Sequence, residues 1–233
     1  MPRPRGSIAG AGGILDHPLS RVMTALLVVT ARASTRRMPD AVAHSSKADL
    51  RAAALAARDA LSEEARTAAA QALAKRGLPF DVAPGAVVAG YAPIRGELDP
   101  APLMQKLAAQ GARLALPVIT ARGKSLIFRA WNPRDRLLPG PLGILEPSPA
   151  AAEIVPHIVL VPLAAFDRKG HRIGYGAGHY DRTLAQLHRS KGFTAAIGVA
   201  FAAQEVEAIP ALQHDVPLDY VLTETTTFDF RSS

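Results

Sequence analysis

The sequence predicts an α/β fold, a largely parallel, twisted sheet with helices over both faces and so three layers in all. Three observations carry this expectation. Short apolar runs alternate with helical patterns from residue 47 onward, and parallel neighbours need such crossover connections. At 233 residues, 48% of them hydrophobic, the chain is long enough for one full-size domain, which buries about 70–75% of its unfolded surface. It has no cysteine, which excludes disulfide staples, thiolate nucleophiles, Cys-ligated zinc and iron–sulfur clusters, and fits a reducing, cytoplasmic compartment.

Each element has its own local reason. KADLRAAALAARDAL, from Lys47, spaces Leu50, Ala54, Ala57 and Leu61 four, three and four apart, the pattern of a helix with one apolar face. Ser62 followed by Glu63 and Glu64 reads as an N-cap with an acidic first turn, opening a second helix that runs to Arg76 and stops at Gly77. After the Pro84–Gly85 turn, VVAGY at 87–91 is a buried strand, and Asp99–Pro100 then supplies an N-cap and an N1 proline for a helix ending at Gly111. RLALPVI, SLIFRAW at 125–131, HIVLVPL at 157–163, TAAIGVAF at 194–201 and LDYVLTE read as further strands, with TLAQLHRS as a helix between them. Ligands of such sheets sit at the C-terminal ends of the strands.

The first 45 residues differ in kind. They are rich in Pro, Gly and Arg, show no sustained period, and hold six Arg and two Asp. They read as a disordered extension preceding a single catalytic domain at 46–233. The run VMTALLVVTA at 22–31 falls short of the roughly 20 residues a membrane span needs. With its arginines it imitates a secretory or transit segment; the preferred reading is a non-structural extension, with Met23 or Met38 as the truer start. This segment carries +4 of the net +7 charge, leaving +3 on the remaining 188 residues. A mildly positive body with 5% aromatic residues suits an anionic small molecule, with no nucleic acid or membrane as partner. No heptad or long apolar stripe announces a second chain, so a monomer is expected.

Several chemical signatures fail. Gly123-Lys124-Ser125 resembles the end of a phosphate-binding loop, but that motif needs a glycine where Val118 stands, so a turn at a strand edge is the better reading. No His-Glu-x-x-His helix and no Gly-x-Ser-x-Gly elbow occurs, and the seven histidines are scattered. The unusual segment is FDRKGHRIGYGAGHYDRTL at 166–184, with Gly174, Gly176 and Gly178 between a strand end and a helix start. Glycines there let successive N–H groups turn inward as an anion cradle, with Arg172 and Lys169 adding charge; a tight turn without ligand is the alternative. A carboxylate at Asp181, beside bound phosphates, calls for a cation between them. Mg²⁺ takes one or two carboxylates plus phosphate oxygens, so Asp181 and a second acid such as Asp215 suffice. Asp181 as a helix N-cap and Asp215 as a loop acid are the plainer readings.

The blocks KADLR (47–51), YAPIRGELD (91–99), LALPVI, FRAW with GILEP, VPLAAFDRKGHRIGYGAGHYDR and HDVPLDYVLTE from His214 together resemble the 5-formyltetrahydrofolate cyclo-ligase family, also called 5,10-methenyltetrahydrofolate synthetases, over nearly all of 47–224. Ala177 stands where the family commonly has Gly, and His179 where its first Tyr often stands. The resemblance implies a fold similar to the NagB, ribose-phosphate isomerase and CoA-transferase group. It also implies ATP- and Mg²⁺-dependent conversion of 5-formyltetrahydrofolate to 5,10-methenyltetrahydrofolate, with ADP and phosphate released. Carried over by position, it makes Lys47 and Arg51 contacts to the ATP phosphates; their i, i+4 spacing puts both on one helix face, which by itself reads as an ordinary solvated face. It has Arg172, Ile173, Gly174, Tyr175, Gly176, Ala177, Gly178, His179 and Tyr180 wrap ATP, with Tyr175 to His179 also touching the folate, and it makes Asp181 and Asp215 the Mg²⁺ ligands. Ala92 and Glu97 correspond to folate-binding positions, and a carboxylate suits the adjacent N–H donors of a pterin edge; otherwise Glu97 is a surface acid. Trp131, the one tryptophan, either stacks on the pterin or serves as a core aromatic. No proton-transfer residue is identified. A sugar-phosphate isomerase or CoA-transferase-like enzyme, or a non-catalytic nucleotide-binding protein, shares the fold expectation without the ATP-driven chemistry.

Overall fold

The structure, a computed structural model, describes residues 46–212 and 215–231; the extension expected at 1–45 lies outside them. Helices α1 (Lys47–Asp59) and α2 (Glu63–Arg76) open the described chain. Ser46 caps α1 in a reciprocal box with Asp49, Ser62 caps α2 by accepting from the Ala65 N–H, and Gly77 ends it at φ 80°. Strand β1 (Val87–Ala89) follows, then α3 (Ala101–Ala109), β2 (Arg113–Val118) and β3 (Ile127–Ala130). The Asp99 carboxylate accepts from the Ala101 N–H at 2.9 Å, but the N-cap position of α3 is Pro100, one residue later than expected, and carries no side-chain cap. A small ribbon pairs β4 (Leu138–Pro139) with β5 (Leu145–Glu146). After β6 (Ile158–Pro162) comes a second ribbon, β7 (Ala165–Phe166) with β8 (Arg172–Ile173), then α4 (His179–Leu187), β9 (Ala195–Val199), β10 (Tyr220–Leu222) and β11 (Thr227–Asp229).

The main sheet has the order β11-β10-β9-β6-β1-β2-β3. Its five inner strands are parallel, and only the two edges, β3 and β11, run antiparallel. Those inner strands are buried on both faces, which is why they read as continuous apolar runs. Val88, Leu160 and Ile197 face a core with Leu73 of α2 and Leu103 and Leu107 of α3. Ala89, Val159, Val161 and Ala196 face the opposite core with Leu184 and Leu187 of α4. The expected three layers are thereby present. From β1 the chain moves to β2 on one side, and β6 then returns on the other; this reversal creates a crevice beyond the strands' C-terminal ends.

Two further expectations change. The apolar face of α1 is rotated: Ala57 is exposed, while Arg58 is only 2% accessible. Leu50 and Ala54 pack on Ala165 and Ile173 of the second ribbon, and this docking turns Arg58 inward. The helix expected from Thr183 starts four residues earlier, at His179, because Gly178 takes the N-cap position with φ 62°. Leu160→Ala in β6, 0% exposed, is expected to cost about 2–5 kcal/mol in urea unfolding. Leu138→Ala on the small ribbon, 37% exposed, is expected to change stability by less than about 0.5 kcal/mol.

Candidate active site

A cavity of about 1080 Å³ opens at the crevice. Tyr91 and Ala92 after β1, Pro117 and Ile119 at the end of β2, and Pro162 of β6 form its floor. The wall opposite is α1 and the segment from Arg172 to Arg182. Of the residues singled out in the sequence, Lys47, Arg51, Ala92, Glu97, every residue from Arg172 to Asp181, and Asp215 line this one cavity.

One end is dense in charge. Lys47 pairs with Asp215 at 2.5 Å, and Asp215 also accepts from the Leu212 N–H at 2.7 Å. Arg172, with a side chain 4% exposed, pairs with Asp181 at 2.6 Å and donates to the Val216 carbonyl. Burial pulls the Arg172 pKa down, and the nearby charges of Asp181 and Asp215 oppose that shift. Arg51 Nε donates to the Gly174 carbonyl at 2.8 Å, tying α1 to the glycine segment. A Cβ added at Gly174 or Gly176 would meet nothing within 4 Å, so the backbone lies open to the cavity there. The segment ends at the N-terminus of α4, whose first-turn N–H groups lack intrahelical acceptors. Ala177 offers its carbonyl to Arg182 at 2.5 Å, and His179 Nδ1 lies 2.7 Å from the Lys124 carbonyl. Lys124 itself belongs to a turn, as its failed phosphate-loop spacing implies.

The other end is built around Glu97. The loop that carries it turns through Arg95 and Gly96, both at positive φ. A Cβ on Gly96 would lie 2.0 Å from Arg66 Nη1, and that guanidinium donates to the Gly96 carbonyl, so the loop is clamped onto α2. The Ile94 N–H donates to Glu97 Oε2 at 2.9 Å. Burial raises the Glu97 pKa; the Ile94 bond, the Tyr175 phenol and the charges of Arg58 and Arg95 hold the rise back. Burial, reinforced by the Glu97 charge, also raises Tyr91, Tyr175 and Tyr180, so these phenols stay neutral. A half-buried carboxylate among neutral phenols can accept N–H groups from a planar polar ligand.

Two residues fall differently from expectation. Trp131 is not among the cavity walls; its backbone N–H bonds the Leu114 carbonyl, beside the first residue of β2 and so at the far end of the sheet, where its ring packs on the core around Leu73 and Leu103. It is the core aromatic of the two readings, and pterin stacking is withdrawn. Arg58 carries no motif signal, yet its guanidinium donates to the Tyr175 hydroxyl at 2.8 Å. Its one sequence cue is a position seven residues after Arg51, two helical turns along the same face.

The sequence profile of the 5-formyltetrahydrofolate cyclo-ligase family matches residues 43–224. The chain belongs to that family. The 5-formyltetrahydrofolate cyclo-ligase of Escherichia coli strain K12 is 33% identical over 179 residues, 74% of this chain and 97% of that protein. The cyclo-ligase of Mycolicibacterium smegmatis is 36% identical over 187 residues, 76% and 93% of the two chains. The solved structure of Aquifex aeolicus 5,10-methenyltetrahydrofolate synthetase superposes with a TM-score of 0.65 at 30% identity, covering 80% of this chain and 94% of that one. In this cyclo-ligase family member the blocks at 47–51, 91–99 and 172–182 converge on one crevice.

Because burial raises Glu97, its ionised form costs folding stability at pH values above its folded pKa, and the cost disappears below the unfolded value of about 4.3. Glu97→Gln is therefore expected to stabilise the protein more at pH 8 than at pH 4, read by thermal unfolding at both. An equal effect at the two pH values would contradict the raised pKa.

Proposed function

We propose that the chain converts 5-formyltetrahydrofolate to 5,10-methenyltetrahydrofolate with hydrolysis of ATP to ADP and phosphate, in a Mg²⁺-dependent reaction. The observation that carries this reading is the two-ended cavity: a cation-lined, glycine-rich end beside a half-buried carboxylate end. Lys47, Arg51, Arg172 and the open backbone from Ile173 to Tyr180 are the ATP side. Ala92, Glu97 and Tyr175 to His179 are the folate side, so the glycine segment serves both substrates.

The chemistry explains why ATP is needed. A formamide oxygen is a poor leaving group; its attack on the γ-phosphorus releases ADP and gives an iminium phosphate. N10 of the folate then attacks the formyl carbon, the carbon–oxygen bond breaks, phosphate departs with that oxygen, and the N10 proton is lost. The enzyme's part is alignment, holding the reacting atoms about 3–3.5 Å apart, and stabilisation of charge moving onto phosphate oxygens. Lys47, Arg51 and Arg172 provide that charge.

The donor set fits Mg²⁺ delivered with the nucleotide. Among the described residues there is no cluster of three or more His, Asp or Glu that could hold a metal alone. Asp181 and Asp215 offer two carboxylates on the ATP side, and Mg²⁺ is commonly held by one or two carboxylates plus substrate phosphates. There the ion would neutralise and orient the phosphates. Lys47 and Arg172 hold the two carboxylates until nucleotide arrives. Residues 46–233 act as a single catalytic domain on small molecules, as a cytoplasmic monomer that engages neither nucleic acid nor a membrane. No helix among the described residues is long and apolar enough to cross a membrane.

The purified protein is expected to raise methenyltetrahydrofolate absorbance from 5-formyltetrahydrofolate only with ATP and Mg²⁺ present. Asp181→Asn, which keeps an oxygen for Arg172, is expected to slow the rise about 100-fold. A rise independent of ATP would refute the reading; so would none from folded protein, which would favour a non-catalytic nucleotide binder.

A further inference from the structure

Arg58 sits in α1, seven residues beyond Arg51, yet it does not line the cavity. Its guanidinium is 2% accessible, and burying an arginine is costly unless its donors are satisfied. Nε and Nη2 take Asp59 Oδ1 at 3.0 and 2.9 Å, while Nη1 donates to the Tyr175 hydroxyl at 2.8 Å. A phenol has one proton. With its oxygen accepting from Arg58, that proton is free to be donated into the cavity that Tyr175 and Glu97 both line. Arg66 of α2 also donates to the Arg58 carbonyl at 3.2 Å and to the Gly96 carbonyl, so the Arg58 backbone and the Glu97 loop share one clamp.

We propose that Arg58 is a positioning residue, which by donating to the Tyr175 hydroxyl turns the phenol's proton into the cavity beside Glu97 and so sets that end for the N–H edge of the folate. This rests on the folate reading of Glu97. It also gives α1 two tasks, phosphate contacts from Lys47 and Arg51 and support of the folate end from Arg58. The other groups acting on Glu97 are Tyr91, Tyr180 and the charges of Arg95 and of Arg58 itself.

Arg58→Met and Tyr175→Phe separate this role from a merely structural one. Each is expected to raise the KM for 5-formyltetrahydrofolate about tenfold while the KM for ATP moves less than about twofold. The double variant is expected to match the worse single variant, because the two residues act in series. Arg58→Lys, which retains a donor, is expected to fall between Arg58→Met and the parent. An unchanged folate KM, equal rises in both KM values, or additive losses would overturn the proposal. A readout that needs no substrate is the carboxyl ¹³C titration of Glu97: both variants should move its pKa upward, and an unmoved titration in both would also overturn it. If the parent protein fails to turn over folate, the functional reading falls, and the titration still decides whether Arg58 and Tyr175 act on Glu97.

Discussion

The docking of α1 across the glycine segment is the constraint on which the site depends. Leu50 and Ala54 seat the helix on Ala165 and Ile173, and three cations on the same face then reach inward. Lys47 takes Asp215, Arg51 takes the Gly174 carbonyl, and Arg58 takes Tyr175. Without this face the glycine segment would lose its lateral support, and the open backbone at Gly174 and Gly176 would have nothing to hold its shape. Two acids and two cations, Asp181, Asp215, Lys47 and Arg172, form two ion pairs in the cavity wall. Partly buried pairs of this kind add little net stability.

The cavity also separates two electrostatic settings a short distance apart. One end is rich in cations, whereas the other holds the half-buried Glu97 carboxylate among phenols that burial keeps neutral. A neutral phenol donates without competing for charge, which leaves Glu97 as the single anion able to accept a ligand's N–H groups. The segment from Gly174 to His179 borders both settings, so a group transferred from one ligand to the other need not cross solvent.

Much of this was legible in the sequence because it is local. The parallel strands showed as apolar runs, the cap at Ser62 as a short polar signal, and the glycine spacing at 174–178 as an anion cradle or a tight turn. What escaped was set by tertiary contact. Ala57 fits the apolar spacing of α1 as well as Ala54 does, and only docking onto the β7–β8 ribbon decides that Arg58, not Ala57, faces inward. The start of α4 depends on Gly178 reaching a left-handed conformation, which a sequence window scores merely as a break. A lone tryptophan at a strand end carries no mark of which end of the sheet it occupies; antiparallel pairing of β3 with β2 sends Trp131 away from the site.

The central claim is that the formyl oxygen is activated by phosphoryl transfer inside this cavity. Its most direct test uses 5-formyltetrahydrofolate labelled with ¹⁸O in the formyl group, ATP and Mg²⁺, with the released phosphate analysed by mass. One ¹⁸O atom per phosphate is the expected result. Unlabelled phosphate, with the label released to water, would contradict the account and leave ATP hydrolysis uncoupled from the folate's oxygen.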